Sequence, residues 1–397
     1  MGLFYTAYCR IRQAIQRAGQ PRRIDRQVVE EGTGAVFAVA QILRANRLQK
    51  PIIVVSRGAE NARERVLHAL EENDLTWTEW ALPDRTLTAA DADDLRMAWV
   101  REACDSFLVL GDGETIDFVK VGAALAAVRG RSFMSLVGTD RIRRRLAPVI
   151  AVPVAAGSGT ESLAWAALDD GQGNRFVIDD RNLVPAFLVQ DPELMDDVPR
   201  PALAAAAIDG MCLAIEAYLS GGGDASARAV AADAVRGFLS AVEPCWNSGG
   251  TTAQRSVLLG ASSMAGQAAS LAGPGYIRAL CRAVCRVTGR DFGGVCSALL
   301  PLSMEKYGKQ AAGRLAALAE ACGVADKGTP AEKATAFIDR IRQLEFRIGL
   351  PETLEAIGRD AVDEIADIAA AEANPRYACP VVWTAADCAG VLRSAGA

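Results

Sequence analysis

Histidine is nearly absent from this chain of 397 residues, in which His68 is the single example. Imidazole is a common ligand of catalytic transition metals and is well suited to proton transfer near neutral pH. A metal centre built on several histidines is therefore excluded. His68 falls in residues 59–73, a segment with helical periodicity, where a packing or surface position is its simplest interpretation.

A positive net charge and a long apolar run are also lacking. The formal net charge is −5 at pH 7, so no basic field is expected to attract nucleic acid or anionic lipid. Because no run of about 20 apolar residues stands out, we expect no membrane-spanning helix. The N-terminus is basic and amphipathic, without the apolar core or cleavage site of a signal peptide. These features favour a cytoplasmic protein that binds neither nucleic acid nor membranes.

None of the ten cysteines falls in a CxxC pair. Most of them lie in apolar or helical runs, which favours free, buried thiols in a reducing cytosol. Cys281 and Cys285 have the spacing of one helix face, but no third or fourth soft ligand lies near them in sequence. We therefore expect no zinc site.

The chain has ample apolar material, 51 % of residues against 23 % charged, in a length typical of two domains. Apolar runs at 51–57, near 76–81, 106–113 and 148–159 alternate with helical periodicity at 59–73, 88–105 and 114–129. This alternation predicts a parallel sheet covered on both faces. Later periodicity is helical throughout, over 200–219, 224–243, 251–271, 275–287, 294–322, 329–347 and 351–370. Prolines interrupt the pattern before it, so we predict an α/β domain over 1–195 and a helical domain over 196–397.

Three motifs stand out along the chain. Residues 111–120, GDGETIDFVK, form a glycine turn between a strand and a helix, where the backbone and the helix N-terminus suit a pyrophosphate. This stretch resembles GGGSxxDxxK, residues 153–161 resemble PTTAGTGSE, and residues 209–218 resemble DALTHAIEAY. From these motifs in this order and spacing, the chain is identified as a member of the iron-containing (group III) alcohol dehydrogenase family.

The resemblance implies a fold, a cofactor and an assembly. The implied fold is an α/β Rossmann-like nucleotide-binding domain followed by an all-α domain, the dehydroquinate synthase-like architecture. The implied active site lies in the cleft between the two domains, and the implied assembly is a homodimer or larger. The cofactor is NADP or NAD. The residues implied to bind it are Arg57, Gly111, Asp112, Gly113, Glu114, Asp117, Lys120, Val154, Ala155, Ser158 and Thr160.

The family's metal is held by one aspartate and three histidines, and the match can be followed residue by residue. The aspartate corresponds to Asp209, and the three histidine positions hold Leu213, Arg278 and Phe292. A second histidine of the cleft corresponds to Arg282. One carboxylate cannot supply the several ligands that a transition metal needs, so we predict a member without bound metal.

Arg278 and Arg282 lie four residues apart and leave two interpretations open. Their guanidinium groups suit an anionic group of the substrate or an oxyanion in the transition state. Alternatively, Arg278 neutralises Asp209 across the lost metal site, because an uncompensated buried carboxylate is costly. The candidate catalytic residues are Asp209, Tyr276, Arg278 and Arg282. Tyr276, Lys306 and Tyr307 are possible proton donors, although packing or a solvated helix face is the simpler explanation of them.

The cofactor motifs depart from the family pattern. Asp112 and Glu114 replace a glycine and a serine, and they weaken pyrophosphate binding unless they point to solvent. Val154 and Ala155 replace two hydroxyl residues. Arg57 follows the first strand where many members have an aspartate that binds the 2′-hydroxyl of NAD. An arginine there accepts a 2′-phosphate, which favours NADP, or it is an ordinary surface residue.

Two functional hypotheses follow. The first is a metal-independent NAD(P)-dependent dehydrogenase or reductase that moves a hydride to or from a small, possibly anionic, alcohol or carbonyl. A narrower version is oxidative decarboxylation of a β-hydroxy acid, such as the C-terminal threonine of a peptide carboxylate substrate. The second is a catalytically silent member that acts as a scaffold, an inactive subunit or a ligand sensor.

Overall fold

The computed structural model describes residues 3–19, 27–196, 198–354 and 356–396. The chain divides into two compact units. An α/β unit contains the described residues of Ile24–Pro199 and Gly250–Gly266. A helical unit contains those of Met1–Arg23, Arg200–Gly249 and Gln267–Ala397, and it begins with helix α1 (Leu3–Gly19).

The α/β unit is built on a six-stranded sheet in which all pairs are parallel. The strands of the unit are β1 (Val28–Glu31), β2 (Pro51–Val55), β3 (Thr78–Trp80), β4 (Ser106–Gly111), β5 (Gly138–Thr139), β6 (Val149–Pro153), β7 (Trp165–Asp169), β8 (Arg175–Asp179) and β9 (Phe187–Gln190). The large sheet has the order β1-β9-β6-β4-β2-β3, and β5-β8-β7 form a smaller sheet. The predicted α/β class is confirmed.

Helices cover both faces of the large sheet. They are α2 (Ala38–Ala45), α3 (Glu60–Glu71), α4 (Ala89–Arg101), α5 (Gly113–Ala127) and the short α6 (Phe133–Leu136). The central strands are continuous apolar runs because successive side chains enter opposite cores. Ile52 and Val54 of β2 pack in the core beside α4 and α5. Ile53, between them, packs in the core beside α2 and α3.

The later part of the chain is helical, as predicted. Its helices are α7 (Arg200–Leu219), α8 (Ala225–Ser248), α9 (Thr252–Ala272), α10 (Tyr276–Thr288), α11 (Phe292–Tyr307), α12 (Lys309–Ala321), α13 (Pro330–Arg347), α14 (Arg359–Ala373) and α15 (Ala385–Ser394). Two predicted helices differ. The one over 294–322 is broken by Gly308, whose φ is 56°, and the described residues of 351–358 are not helical.

Helix α7 bears on the expectation that no segment could span a membrane. By length and composition it could, since its mean hydropathy is 1.6. However, 72 % of its most apolar window is buried inside the protein, as in the core helix of a globular domain. The sequence showed no continuous apolar run here because a few polar residues interrupt the apolar ones.

Two segments lie on the other side of the predicted domain boundary. Helix α1 belongs to the helical unit, because Arg10 and Gln13 donate to the carbonyls of Cys379 and Tyr377. Residues 250–266 belong to the α/β unit, although they are mostly helical. The Gln190 side chain donates to the Leu259 carbonyl at 2.7 Å, which fixes the first part of α9 beside β9.

Candidate functional site

The glycine turn between β4 and α5 is a point of close backbone packing. A Cβ on Gly111 would lie 2.8 Å from the Ser56 side chain, and one on Gly113 would lie 2.3 Å from the Ser158 hydroxyl. Both positions therefore require glycine. The turn brings together the loop after β2, the helix N-terminus and the loop over 153–161, which are three of the predicted cofactor segments.

A cleft of about 420 Å³ opens at the carboxyl ends of β2, β3 and β4. Its lining residues are Ser56, Arg57, Leu82, Pro83, Asp84, Arg85, Thr86, Leu87, Asp112, Glu114 and Thr115. Parallel α/β sheets bind nucleotides at this edge of the sheet. The structure thus places three predicted cofactor residues, Arg57, Asp112 and Glu114, on one cleft.

The two acidic residues of the turn have different surroundings. Asp112 caps α5, because its carboxylate accepts a hydrogen bond from the Thr115 backbone N–H at 2.9 Å. It thereby uses part of the helix N-terminus that a phosphate would need. Glu114 is exposed, 3.9 Å from Arg175. The exposed Arg57 forms an ion pair with Asp84.

Asp117 and Lys120 are buried residues of α5, and neither lines the cleft. Lys120 is fully buried, and its ammonium donates to the carbonyls of Thr160, Leu163 and Trp165 at 2.6–3.1 Å. Asp117 accepts from the Ala167 backbone N–H at 3.0 Å. Burial lowers the pKa of Lys120, and Asp117 opposes that shift. These residues bind α5 to the segment over 160–167, which includes the start of β7, and direct contact with a cofactor stays a prediction.

The second loop, residues 153–161, is held by a serine that the sequence did not single out. The Ser262 hydroxyl accepts from the backbone N–H groups of Gly157 and Gly159 at 2.9 and 3.2 Å. A Cβ on Gly266 would lie 2.1 Å from the Gly159 carbonyl oxygen. The small residues on either side of Met264, between 260 and 266, were the one signal for this contact.

Within the same loop, Val154 is buried and its N–H donates to the Gly111 carbonyl at 3.1 Å, which ties β6 to the end of β4. Ala155 is half-buried. Ser158 and Thr160 lie beside Gly113. Of the predicted residues in this loop, these two therefore lie next to the glycine turn.

In the helical unit, two of the residues predicted to stand at the family's metal-ligand positions form an ion pair. The Arg278 guanidinium on α10 binds the Asp209 carboxylate on α7, and both side chains are largely buried. The Phe292 ring centroid lies 5.3 Å from the Arg278 guanidinium carbon, a cation–π distance. Leu213, one helical turn after Asp209, is fully buried.

These residues do not fit a divalent transition metal. Leucine and phenylalanine offer no ligand atom, and an arginine cannot be deprotonated in a protein. Burial works to lower the pKa of Arg278, but Asp209 outweighs it and the net shift is upward. Across the part of the chain that the structure describes, no group of three or more His, Cys, Asp or Glu residues could hold a metal ion.

Arg282 is also neutralised within the helical unit. It pairs with Glu372 of α14, and its guanidinium donates to the Tyr377 hydroxyl at 3.1 Å. Tyr377 in turn donates to Glu372 at 2.7 Å. Burial raises the pKa of Glu372, but Arg282 outweighs it and the net pKa is lowered. Substrate binding by Arg282 stays a prediction, and its observed contacts are structural.

The three possible proton donors are engaged within the protein. The buried Tyr276 hydroxyl donates to Asn374 at 2.5 Å and accepts from the Trp383 backbone N–H at 2.8 Å. Tyr276 and Tyr307 both stack on Trp383, with centroids at 4.8 and 4.7 Å. Lys306 pairs with Asp387 at 3.0 Å. These contacts are those of packing and surface residues, and proton donation stays untested.

Glu216 positions the helix that carries Arg278. Its buried carboxylate accepts from the backbone N–H groups of Ile277 and Arg278 at 2.7 and 3.2 Å. It approaches Gly275 so closely that a Cβ there would lie 2.4 Å from the carboxylate oxygen. Glu216 lies in the motif over 209–218, but no local pattern predicts its partner, since the contact joins residues about 60 positions apart.

Both halves of the chain match models of one known protein family. The family model "Iron-containing alcohol dehydrogenase" matches residues 27–192, and the model of the family's C-terminal domain matches residues 203–396. A 1,3-propanediol dehydrogenase of Klebsiella pneumoniae is 26 % identical over 342 residues, 84 % of this chain and 87 % of that protein. Alcohol dehydrogenase 4 of Schizosaccharomyces pombe is 25 % identical over 333 residues, 82 % and 77 % of the two chains.

Among solved structures, the sulfoacetaldehyde reductase of Bifidobacterium kashiwanohense in complex with NAD+ has a similar fold. The TM-score is 0.82 at 20 % identity, and the match covers 94 % of this chain and 97 % of the other.

Proposed function

Although the chain belongs to the iron-containing alcohol dehydrogenase family and is a nicotinamide-dependent oxidoreductase by type, we propose that it works without a bound metal. In this proposal it transfers a hydride between NAD or NADP and a small alcohol or carbonyl compound. The observation that carries the proposal is the ion pair of Arg278 with Asp209 at the position of the family's metal.

The positive charge of Arg278 is the feature that suits this role. In the family the metal polarises the substrate oxygen as a Lewis acid. A guanidinium stabilises negative charge on oxygen by hydrogen bonding instead. The buried Arg278 Nε has no hydrogen-bond partner among the residues that the structure describes. In this proposal it donates to an oxygen of a substrate that enters beside it.

The cleft at the end of β4 supports a nicotinamide cofactor, which when bound supplies or accepts the hydride. Its volume and its position at the carboxyl ends of the strands suit the adenosine and phosphate part of the molecule. Thr115 and the α5 N-terminus would face the phosphates, and Arg57 would face the ribose. Asp84 beside Arg57 works against a 2′-phosphate, so NAD competes with NADP as the cofactor.

A second candidate is a family member without turnover, which serves as a scaffold, an inactive subunit or a ligand sensor. One pair of observations favours it. Asp112 occupies part of its own helix N-terminus, and Arg278 and Arg282 are both paired with carboxylates of the protein. In this case Arg278 acts solely to neutralise Asp209.

Purified protein tests the proposal in two measurements. We expect elemental analysis to find iron and zinc far below one ion per chain, and fluorescence titration to show binding of NADH or NADPH. Stoichiometric iron or zinc would contradict metal independence. Failure to bind either cofactor at millimolar concentration would support the silent alternative.

Variants then test Arg278 itself. Arg278→Lys should keep part of the turnover, whereas the double variant Asp209→Asn/Arg278→Met should bind cofactor but lose turnover. The double change removes both charges, so that neither is left buried alone. Equal turnover of wild type and double variant would exclude a role for the guanidinium. The anionic substrate, the peptide threonine reaction, the homodimer and the cytoplasmic location stay predictions.

A further inference from the structure

Helix α1 carries an apolar stripe that faces away from the protein. Phe4, Tyr8, Ile11 and Ile15 are 92 %, 51 %, 60 % and 61 % exposed. On the opposite side of the helix, Cys9 is fully buried. Large apolar side chains exposed together on one helix face usually mark an interaction site.

The direction of the stripe is fixed by hydrogen bonds on the opposite side. The Arg10 guanidinium donates to the carbonyls of Cys379 and Pro380, each at 2.8 Å. Gln13 donates to the Tyr377 carbonyl at 2.8 Å. The family models begin at residue 27, so α1 lies outside the matched family body. The stripe is therefore not a feature of the family's catalytic architecture.

The spacing of the stripe is that of a helix–helix seam. Its residues follow at intervals of four, three and four, the a/d alternation of a coiled coil. At about 100° per residue they fall within roughly 60° of the helix circumference. A seam this narrow matches a second helix better than it matches a lipid surface, which takes a broader apolar face.

We propose that the occupant is α1 of a second copy of this chain, packed antiparallel. Reversing the helix exchanges Phe4 with Ile15 and Tyr8 with Ile11. Each aromatic side chain of one copy then meets an isoleucine of the other, in a two-fold symmetric contact. The proposal concerns assembly and does not depend on the proposed catalytic function.

Charge selects the antiparallel arrangement. Between Leu3 and Gly19 the helix has three arginines and no acidic residue. A parallel pair would bring the arginines of the two copies to the same levels along the helix axis and would align the two helix dipoles. In the antiparallel pair Arg12 lies at the level of Ala7, between Tyr5 and Tyr8 of the other copy. Those two rings are 6.4 Å apart, and they offer the guanidinium cation–π contacts in place of repulsion.

The contact is small for a stable dimer by itself. A helix of 17 residues is about 25 Å long, and four side chains cover much less than the roughly 800 Å² per partner of a standard interface. We therefore expect the α1 pair to add to self-association, with a measurable concentration dependence, rather than to lock a permanent dimer.

Engineered cysteines test the arrangement directly. In the double variant F4C/I15C, the two positions of one helix are about 16 Å apart along its axis, too far for an internal disulfide. In the antiparallel pair they lie opposite each other in the two copies. We expect mild oxidation with copper phenanthroline to give a covalent dimer on a non-reducing gel, whereas F4C alone and wild type stay monomeric.

The single variant also reads out the opposite geometry, because a parallel pair would cross-link F4C alone. That result would overturn the antiparallel assignment. Absence of cross-linking in both variants would overturn the pairing of α1.

Sedimentation velocity gives a second test that needs no cross-link. We expect Ile11→Ser/Ile15→Ser to weaken self-association at least tenfold. Phe346→Ser, which removes another exposed apolar side chain (69 % exposed), should change nothing. Unchanged self-association of the stripe variant would overturn the proposal. Stripe-dependent binding of monomers to phosphatidylglycerol vesicles would also overturn it, by assigning the stripe to lipid.

Discussion

The glycine turn of the α/β unit and the Asp209 position of the helical unit depart from the family pattern in different ways. At the turn, the backbone geometry is intact, because both glycines still pack against Ser56 and Ser158. The departures are side chains at its edge, Asp112 and Glu114. At Asp209, the three positions predicted to correspond to the family's histidine ligands hold Leu213, Arg278 and Phe292.

The difference shows which kind of site survives substitution. A phosphate site made of backbone N–H groups depends on conformation, so it outlasts changes of side chain as long as the glycines remain. A metal site depends on ligand atoms and is lost with them. Its remaining carboxylate then requires a new partner, which Arg278 provides.

The strongest test of this contrast is to remove Asp209. Asp209→Ala leaves the buried Arg278 without its carboxylate, which should cost about 3–5 kcal/mol of unfolding free energy. The double variant Asp209→Leu/Arg278→Met should recover most of that loss, because it replaces the pair with apolar groups. Urea denaturation measures both. A stable single variant would mean that the pair does not hold this part of the helical unit together.

The backbone packing of the α/β unit is tested at Gly266. Gly266→Ala places a methyl group against the Gly159 carbonyl and should destabilise the protein by about 1–3 kcal/mol. Gly260 lies in the same helix, and a Cβ added there would have no atom within 4 Å among the described residues. Gly260→Ala should therefore stabilise by up to about 1 kcal/mol. Equal effects of the two changes in urea denaturation would remove the close approach as an explanation.

The edge of the cleft is tested at Arg57 and Asp84. Arg57→Ala should weaken NADPH binding by about tenfold relative to NADH, and Asp84→Asn should strengthen it, because a guanidinium favours the 2′-phosphate. Arg101 is a matched control, since it is equally exposed and also paired with a carboxylate. If Arg101→Ala changed the NADPH to NADH preference as much as Arg57→Ala, the assignment of Arg57 would fail.

Lowering the pH is expected to have a smaller effect on the stability of the protein, through Glu372. Because the folded pKa of Glu372 is lowered, its contribution to stability is present above its unfolded pKa of about 4.3 and is lost as pH falls through the folded value. Glu372→Gln should therefore be less stable than wild type at pH 7, with a difference that shrinks below pH 4. Denaturation midpoints from pH 7 to pH 3 measure it.

The control for this pH profile is Glu305→Gln, which breaks an exposed pair with Arg342. It should give little difference at any pH, because exposed ion pairs contribute little. A wild-type minus Glu372→Gln difference that stays constant down to pH 3 would contradict the role given to Glu372.

Local signals in the sequence were enough for the central strands and most helices. β2, β4 and β6 are continuous apolar runs, and each was predicted within a few residues. β1 was missed because all four of its residues are exposed, so it shows neither an apolar run nor alternation. The break at Gly308 was missed because helical periodicity continues on both sides of it.

The sequence predicted which residues stand at the family's ligand positions, but it did not predict their long-range contacts. Matching the motifs position by position identified Leu213, Arg278 and Phe292. Glu372, the partner of Arg282, is 90 residues away in sequence, and Ser262 is over 100 residues from the loop it holds. Such contacts are made by the tertiary fold, and no local pattern of residue types predicts which two residues will meet.

Lys120 has a practical consequence for following the protein in solution. Its amine has no exposed surface and contacts three backbone carbonyls of the segment over 160–165, which leads into β7. An acylating reagent can reach it after this segment and α5 have separated, and not before. The rate at which Lys120 is labelled therefore measures the rate at which the α/β unit opens. A bound cofactor that keeps the unit closed should lower the labelling rate.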